Sequence, residues 1–348
     1  MKRTIDIIPS FTFRIIAAIL LVILMFVLFI LNLKSGVVNL GISELFGILT
    51  NESISDSALS IVVLKIRFPQ AITALMAGWG LAAGGLLMQT LFRNPLADPS
   101  ILGISSGASL GVAILILISG SLFPGFLSGD ISANVAITIA AFIGAAMVLV
   151  LISLFATKLR NPVNLLVFGI MIGFLSYAVV DILKFYASKD ALQKYVLWGM
   201  ATFAEVDNRQ LQVFLISGFI GIVFALLLVK PLNALLLGED YAANLGHKVK
   251  HIRIIIILVA GFLTAVITAF CGPVAFVGLA VPHLARLLFA TSDHRQILPF
   301  SILIGGNLTL FVNLIIRLPV FGGNLPVNAI TALLGAPVVI YFILKTKF

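Results

Sequence analysis

Charge is scarce in this chain. Of its 348 residues, 10% are Asp, Glu, Lys or Arg and 61% are hydrophobic, with a mean hydropathy of +1.20, where a soluble globular domain carries about 25% charged residues. A water-soluble fold cannot hide that excess of apolar surface. Lipid must therefore be the solvent for most of the exterior, which leaves helices or a closed barrel as the backbone solution. The apolar runs are long and continuous, not alternating, and this selects helices. Cysteine is nearly missing too: Cys271 is alone, so no internal disulfide can form, and its setting in TAFCGP gives it a structural reading.

Catalytic and metal-binding patterns are absent as well. No segment reads GxxxxGK[ST], so this chain should not cradle ATP phosphates in a P-loop, and ATP-driven work would fall to a partner. GxSxG with suitably placed Asp and His is missing. His247 and His251 sit four apart in HKVKH, but no HExxH glutamate accompanies them and flanking lysines repel a cation, so the stretch reads as a solvated basic loop. His283 and His294 stand apart from each other and from any cysteine cluster. No catalytic residue and no metal ligand is assigned, and no cofactor is expected on this chain. Ion-coupled transporters usually place ionisable groups at mid-membrane, whereas the acidic residues here fall almost entirely in loops. Asp181 is the exception, at the outer end of its run and three residues before Lys184, a spacing that pairs them on one helical face.

What the sequence has in quantity is helix-packing material: 29 glycines and 13 prolines, both tolerated in membrane bundles, where glycine lets helices approach closely. About 20 apolar residues cross the hydrocarbon. Ten such runs lie near 15–33, 69–92, 101–119, 134–157, 163–183, 211–229, 254–271, 274–290, 298–316 and 326–344. The run at 274–290 is the weakest, since it carries His283 and Arg286 after a Gly-Pro break. The first run has no convincing small-residue cleavage site after it and reads as a retained helix.

An even number of crossings puts both termini on one side, and Lys2, Arg3, Lys345 and Lys347 assign that side to the cytoplasm. Of the 22 Lys and Arg residues, Lys34, Lys65, Arg67, Lys184, Lys189, Lys194, Arg209 and Arg317 then fall outside and the other 14 inside. The formal charge of +9 is scattered between membrane runs and forms no stripe for nucleic acid. Residues 34–66 and 185–209 form the longest external segments, the second bearing Tyr195 and Trp198 as candidate interfacial anchors. RNPLADP at 93 and RNPVNLL at 160 echo each other, which is too little to define a repeat.

Four stretches remain: RFPQAITALMAGWGLAAGGLLMQTLFRNPLADPSILGISSGASLG (67–111), LLLGEDYAANLG (235–246), GPVAFVGLAVPHLARLLFATSDHRQILP (272–299) and NLPVNAITALLGAPVVIYFI (324–343). Together they resemble the permease family of bacterial ATP-binding-cassette (ABC) importers for iron-siderophore complexes, haem and cobalamin. RNPLAxP followed by ILGISSGA, and FxGLxxPHxxR followed by DHR, carry the resemblance, which covers essentially the whole chain past residue 60.

That resemblance implies an all-α polytopic bundle of about ten transmembrane helices, a single permease domain over 1–348, in the bacterial cytoplasmic (inner) membrane. It implies a homodimer with the pathway at its two-fold axis, two ATPase subunits holding ATP and Mg, and an external substrate-binding protein. The polar interruption at 231–252 has a reading of its own. Pro231 ends one span, and Gly238 and Gly246 bracket EDYAANL, a set of helix formers suited to a surface helix. In the family this position couples to the ATPase, which points to Gly238, Glu239, Ala242, Ala243 and Gly246; the plain alternative is a solvated loop.

Arg67 precedes Pro69 at an expected helix N-terminus, where the macrodipole disfavours a cation. The family uses basic residues there and at Arg317 to receive acids of the binding protein, the alternative being snorkelling at the bilayer edge. Two departures stand beside them: Gln70 replaces the usual second arginine and Asn313 the usual acid. Asn94, Pro95 and Leu96 occupy the position of the family's inner gate, where a local Asn-Pro turn reads equally well. Gln89 and Asn164 either line the path or bond helix to helix. The competing functions are an ion-coupled secondary transporter and a membrane-embedded enzyme.

Overall fold

The computed structural model describes residues 11–36, 40–50, 58–118, 130–159, 161–246, 248–318 and 325–345. Lys2, Arg3, Arg160, His247 and Lys347, used above for topology and loop chemistry, lie outside them. All regular structure among the described residues is helical. In chain order the helices are α1 (Phe11–Lys34), α2 (Ile42–Thr50), α3 (Ala58–Phe92), α4 (Ile104–Ile118), α5 (Asp130–Ala156), α6 (Pro162–Tyr186) and α7 (Lys189–Gly199). They continue with α8 (Asn208–Leu227), α9 (Val229–Leu236), α10 (Glu239–Asn244), α11 (Val249–Cys271), α12 (Val277–Phe289), α13 (His294–Ile316) and α14 (Val327–Lys345).

Seven of these are long and apolar enough to cross a membrane: α1, α3, α5, α6, α8, α11 and α13. The shorter apolar helices α4, α12 and α14 stand at the remaining three expected crossings. The chain is a multi-pass membrane protein.

α3 is the axle of the bundle. It packs against α8, α11, α12 and α13, and 83% of its most apolar stretch is buried, against 11% for α1. The sequence ALMAGWGLAAGG puts small residues on every face, so neighbours close in from all sides. Without water to drive helices together, such van der Waals contact holds a membrane bundle. Gly78 lies on the backbone of Gly305 in α13 and Gly85 on that of Gly278 in α12, while Gly111 of α4 meets Ala140 of α5 and Gly144 of α5 meets Gly107 of α4. A smaller core of Leu28, Leu33, Leu45, Val63, Ala71 and Leu310 joins the C-terminal half of α1, α2, the N-terminal part of α3 and α13.

Two crossings are broken. Between α3 and α4, Asp98 caps a 3₁₀ turn (Pro99–Leu102), its Oδ1 accepting from the Ser100 N–H at 2.9 Å, and Gly103 joins this turn to α4 at φ +82. Pro99 rests near Gly84 and Asp98 against Gly278, so this irregular segment is enclosed by helices. The chain before α12 is likewise non-helical from Gly272 to Phe276. Asn328 of α14 holds it, accepting from the Ala275 N–H at 2.9 Å and donating to the Pro273 carbonyl at 2.7 Å. Irregular backbone survives within a membrane where protein satisfies it in this way.

Three local expectations need correction. Pro231 does not end a span: α8 stops at Leu227, and Pro231 lies in the first turn of α9, where a missing N–H is harmless. Tyr195 and Trp198 are not interfacial anchors, because α7 folds back against α4 and buries both. Arg67 is not at a helix N-terminus. α3 runs unbroken from Ala58, and a π-helical stretch over Val62–Arg67 shifts the hydrogen-bond register ahead of Pro69, which has no N–H to give.

Candidate functional site

The polar interruption forms a compact platform. Gly238 takes φ +128, a conformation reserved for glycine, and so turns α9 into α10. Glu239 and Asp240 then open α10, where negative charge suits the helix dipole. Glu239 Oε1 accepts from Arg253 Nη2 of α11 at 2.8 Å. Arg253 is itself buried and donates through Nη1 to the Leu159 carbonyl at 3.3 Å, so one guanidinium ties α10 to the α5–α6 turn. Ala242 is fully buried on the inward face of α10, while Ala243 and Gly246 face outward beside exposed Tyr241 and Leu245. A polar cavity of about 550 Å³, lined by Arg93, Pro162, Gly238, Glu239, Asp240 and Tyr241, opens next to them. The five residues expected here thus divide into two that anchor the segment (Glu239, Ala242), one that turns it (Gly238) and two that face out.

At the C-terminal end of α3 the side chains bond internally. Gln89 donates through Nε2 to the Leu279 carbonyl at 3.1 Å and accepts at Oε1 from Arg286 Nη1 at 2.6 Å; it joins α3 to α12. Asn94 Oδ1 accepts from the Leu96 N–H at 2.9 Å, an Asx turn around Pro95. Asn164, near the start of α6, is exposed, and it is not brought together with Gln89 by any hydrogen bond described.

The broken crossings converge on a cavity of about 520 Å³. Ser100, Gly103, Ser105 and Ser106 line one wall, Gly173 and Tyr177 of α6 another, and Pro273–Ala275 with Asn328 close it. Hydroxyls, glycines and backbone mixed with apolar groups make a surface that wets without gripping. Asp98, beside this wall, was missed from the sequence among the loop acids. Its place directly before Pro99 and Ser100 carries the cap signal that would have found it. Among the described residues no three His, Cys, Asp or Glu side chains gather as a metal site.

At the opposite end Arg67 and Arg317 come together over Gly36. Arg67 Nη1 donates to the carbonyls of Leu33 and Lys34, both at 2.9 Å. Arg317 donates to Asn32 at 3.0 Å and Ser35 at 3.2 Å. Two cations thus cap the C-terminus of α1, where orphan carbonyls and the dipole favour them. Burial, and next the charge of Arg67, push the Arg317 pKa down to about 10, so the guanidinium stays charged at neutral pH. Arg67 is 2% exposed and Arg317 is half-buried, so Arg317 is the more accessible of the pair. Asp181 and Lys184 form the expected ion pair at 3.1 Å.

Residues 22–345 match the model of the FecCD transport family. The chain is 32% identical over 285 residues to the vitamin B12 import system permease protein BtuC of Klebsiella pneumoniae subsp. pneumoniae, covering 82% of this chain and 83% of that protein. It is 33% identical over 286 residues to its counterpart in Salmonella newport, covering 82% and 84%. A solved structure described as an inward-facing conformation of a metal-chelate type ABC transporter superposes with a TM-score of 0.82 at 28% identity, covering 95% of this chain and 99% of the other.

Proposed function

Because this chain belongs to the FecCD transport family, we propose that it is the membrane-spanning permease of an ATP-driven importer, passing a metal chelate of the iron-siderophore, haem or cobalamin class through the cytoplasmic membrane. The observation that carries this reading is the platform at Gly238–Gly246. It is a short helix pinned from below by Arg253 and Ala242, with Ala243, Tyr241 and Leu245 presented outward. A helix held this way passes a push into the bundle; a free loop would absorb it.

On this reading the permease performs no covalent chemistry. Two copies face each other across the pathway, and two ATPase subunits hold ATP and Mg beneath α10. A substrate-binding protein delivers cargo outside, with Arg317, and Arg67 behind it, meeting acids on its surface. Both termini are cytoplasmic. The cavity between α4, α6, the 273–275 segment and α14 belongs to the route, and its weak, mixed lining suits a bulky hydrophilic cargo that must not be held tightly.

Uptake by vesicles holding the permease, its ATPase and its binding protein tests this. Accumulation of cyanocobalamin, a ferric hydroxamate or haemin that is stopped by vanadate and not by a protonophore supports the importer. Collapse under the protonophore alone would transfer the chain to the secondary transporters.

A further inference from the structure

A buried chain of polar side chains links the other half of the platform to the core. The Thr90 hydroxyl, on the last turn of α3, lies 2.7 Å from Nε2 of His294, the first residue of α13. Nδ1 of the same ring is 2.8 Å from Oδ1 of Asn233 in α9, and that oxygen also accepts from the backbone N–H of His294 at 2.8 Å. Asn233 Nδ2 donates to Asp293 Oδ1 at 2.6 Å, and this carboxylate oxygen caps α13 at the Arg295 N–H. With its amide group committed to Asp293, Asn233 presents only its oxygen to the ring. Nδ1 therefore carries the proton, and the Nε2 lone pair faces Thr90, whose one hydroxyl proton is shared between that nitrogen at 2.7 Å and the Leu86 carbonyl at 2.9 Å. A second tie runs from Arg93 Nη2 to the Leu235 carbonyl at 3.2 Å. Thr90 and His294 are almost fully buried.

Such bonds are costly to leave unmade, and they lock three elements together: α9, the C-terminal end of α3 and the start of α13. Gly238 separates this anchor from the Glu239–Arg253 anchor on its far side. The two halves of the platform are thus moored to different helices, α9 to α3 and α13, α10 to α11. We infer that Thr90, Asn233 and His294 are positioning residues that carry displacement of the platform into the α3–α13 pair. This inference rests on the platform being the ATPase contact. Gly78 against Gly305 then makes α3 and α13 move as one body, since a backbone-to-backbone contact leaves no slack.

The test is amide hydrogen exchange on the permease–ATPase complex in nanodiscs, with and without ATP and vanadate. In the wild type, exchange should change by about tenfold in α9 and together with it in residues 89–93, as expected for a buried polar link between two states. In Thr90→Val and Asn233→Leu the α9 change should persist while the change in residues 89–93 shrinks to what the Arg93 tie alone carries, and Thr90→Ser should restore the joint response. An undiminished response of residues 89–93 in Thr90→Val overturns the inference alone. So does a loss shared by Thr90→Ser with a lowered melting temperature, which would mean a purely structural role. Absence of any response in α9 and α10 of the wild type overturns the importer reading, and the inference with it.

Discussion

Gln70 of α3 donates through Nε2 to Oδ1 of Asn313 on α13 at 3.0 Å, with both side chains buried. Asn313 passes the bond on to Asn32 Oδ1 at 2.8 Å, and Asn32 ends the chain on the Leu28 and Leu310 carbonyls. The two positions that depart from the family resemblance are therefore one feature here, a bonded amide pair. A neutral pair avoids the desolvation of a buried ion pair, and it keeps a further cation away from Arg67 and Arg317.

Gln70→Arg alone should destabilise strongly, because it buries a cation beside two others. Adding Asn313→Asp should recover much of the loss, with a favourable coupling of about 1–3 kcal/mol between the two sites. Thermal melts of the four proteins in detergent measure this. Additive costs would show the side chains to be independent.

Glu239→Lys sets a second cation against Arg253 and should loosen α10. Glu239 is partly exposed, so the cost to stability is modest, about 1 kcal/mol, while cargo-stimulated ATP hydrolysis should fall several-fold. Glu239→Gln keeps a hydrogen bond to Arg253 and should behave nearly as wild type. Full stimulation in Glu239→Lys would remove Glu239 from the coupling path.

Arg317→Glu should abolish binding-protein-dependent uptake and leave basal ATP hydrolysis intact. Arg67→Glu should also lower the melting temperature, since it removes a buried cap from α1 and puts an anion against the Leu33 and Lys34 carbonyls, a loss of about 2 kcal/mol or more. Uptake by Arg317→Glu at the wild-type rate would refute docking at this corner. Equal melting temperatures for wild type and Arg67→Glu would refute the capping role.

Gly85→Ala drives a methyl group onto the Gly278 carbonyl, a backbone atom that cannot step aside. A loss of about 3 kcal/mol or more is expected, seen as poor recovery of folded protein. Gly199→Ala is the control: nothing lies within 4 Å of the added carbon, so stability should hold.

The crossings were legible because lipid imposes one rule on every segment, about 20 apolar residues with an internally bonded backbone. Each expected run holds a helix. The Asp181–Lys184 pair was legible for a similar reason, since helical spacing alone brings the two side chains together. Arg67 misled because a single sequence shows Pro69 but not the π-helical register that lets α3 continue through it. Tyr195 and Trp198 misled because aromatic residues near a polar segment look alike whether the helix floats at the interface or folds back onto the core.

Composition, run length and local spacing by themselves determined that this is a helical membrane bundle with a polar platform between two glycines. Those are properties of each stretch against its solvent. Tertiary structure alone decided which groups meet across 33 to 243 residues of chain: Gln70 with Asn313, Arg67 with the end of α1, His294 with Thr90 and Asn233. Each of those partners sits on a different helix, and helix-to-helix registry is set by where glycine lets two backbones touch, which no single stretch encodes.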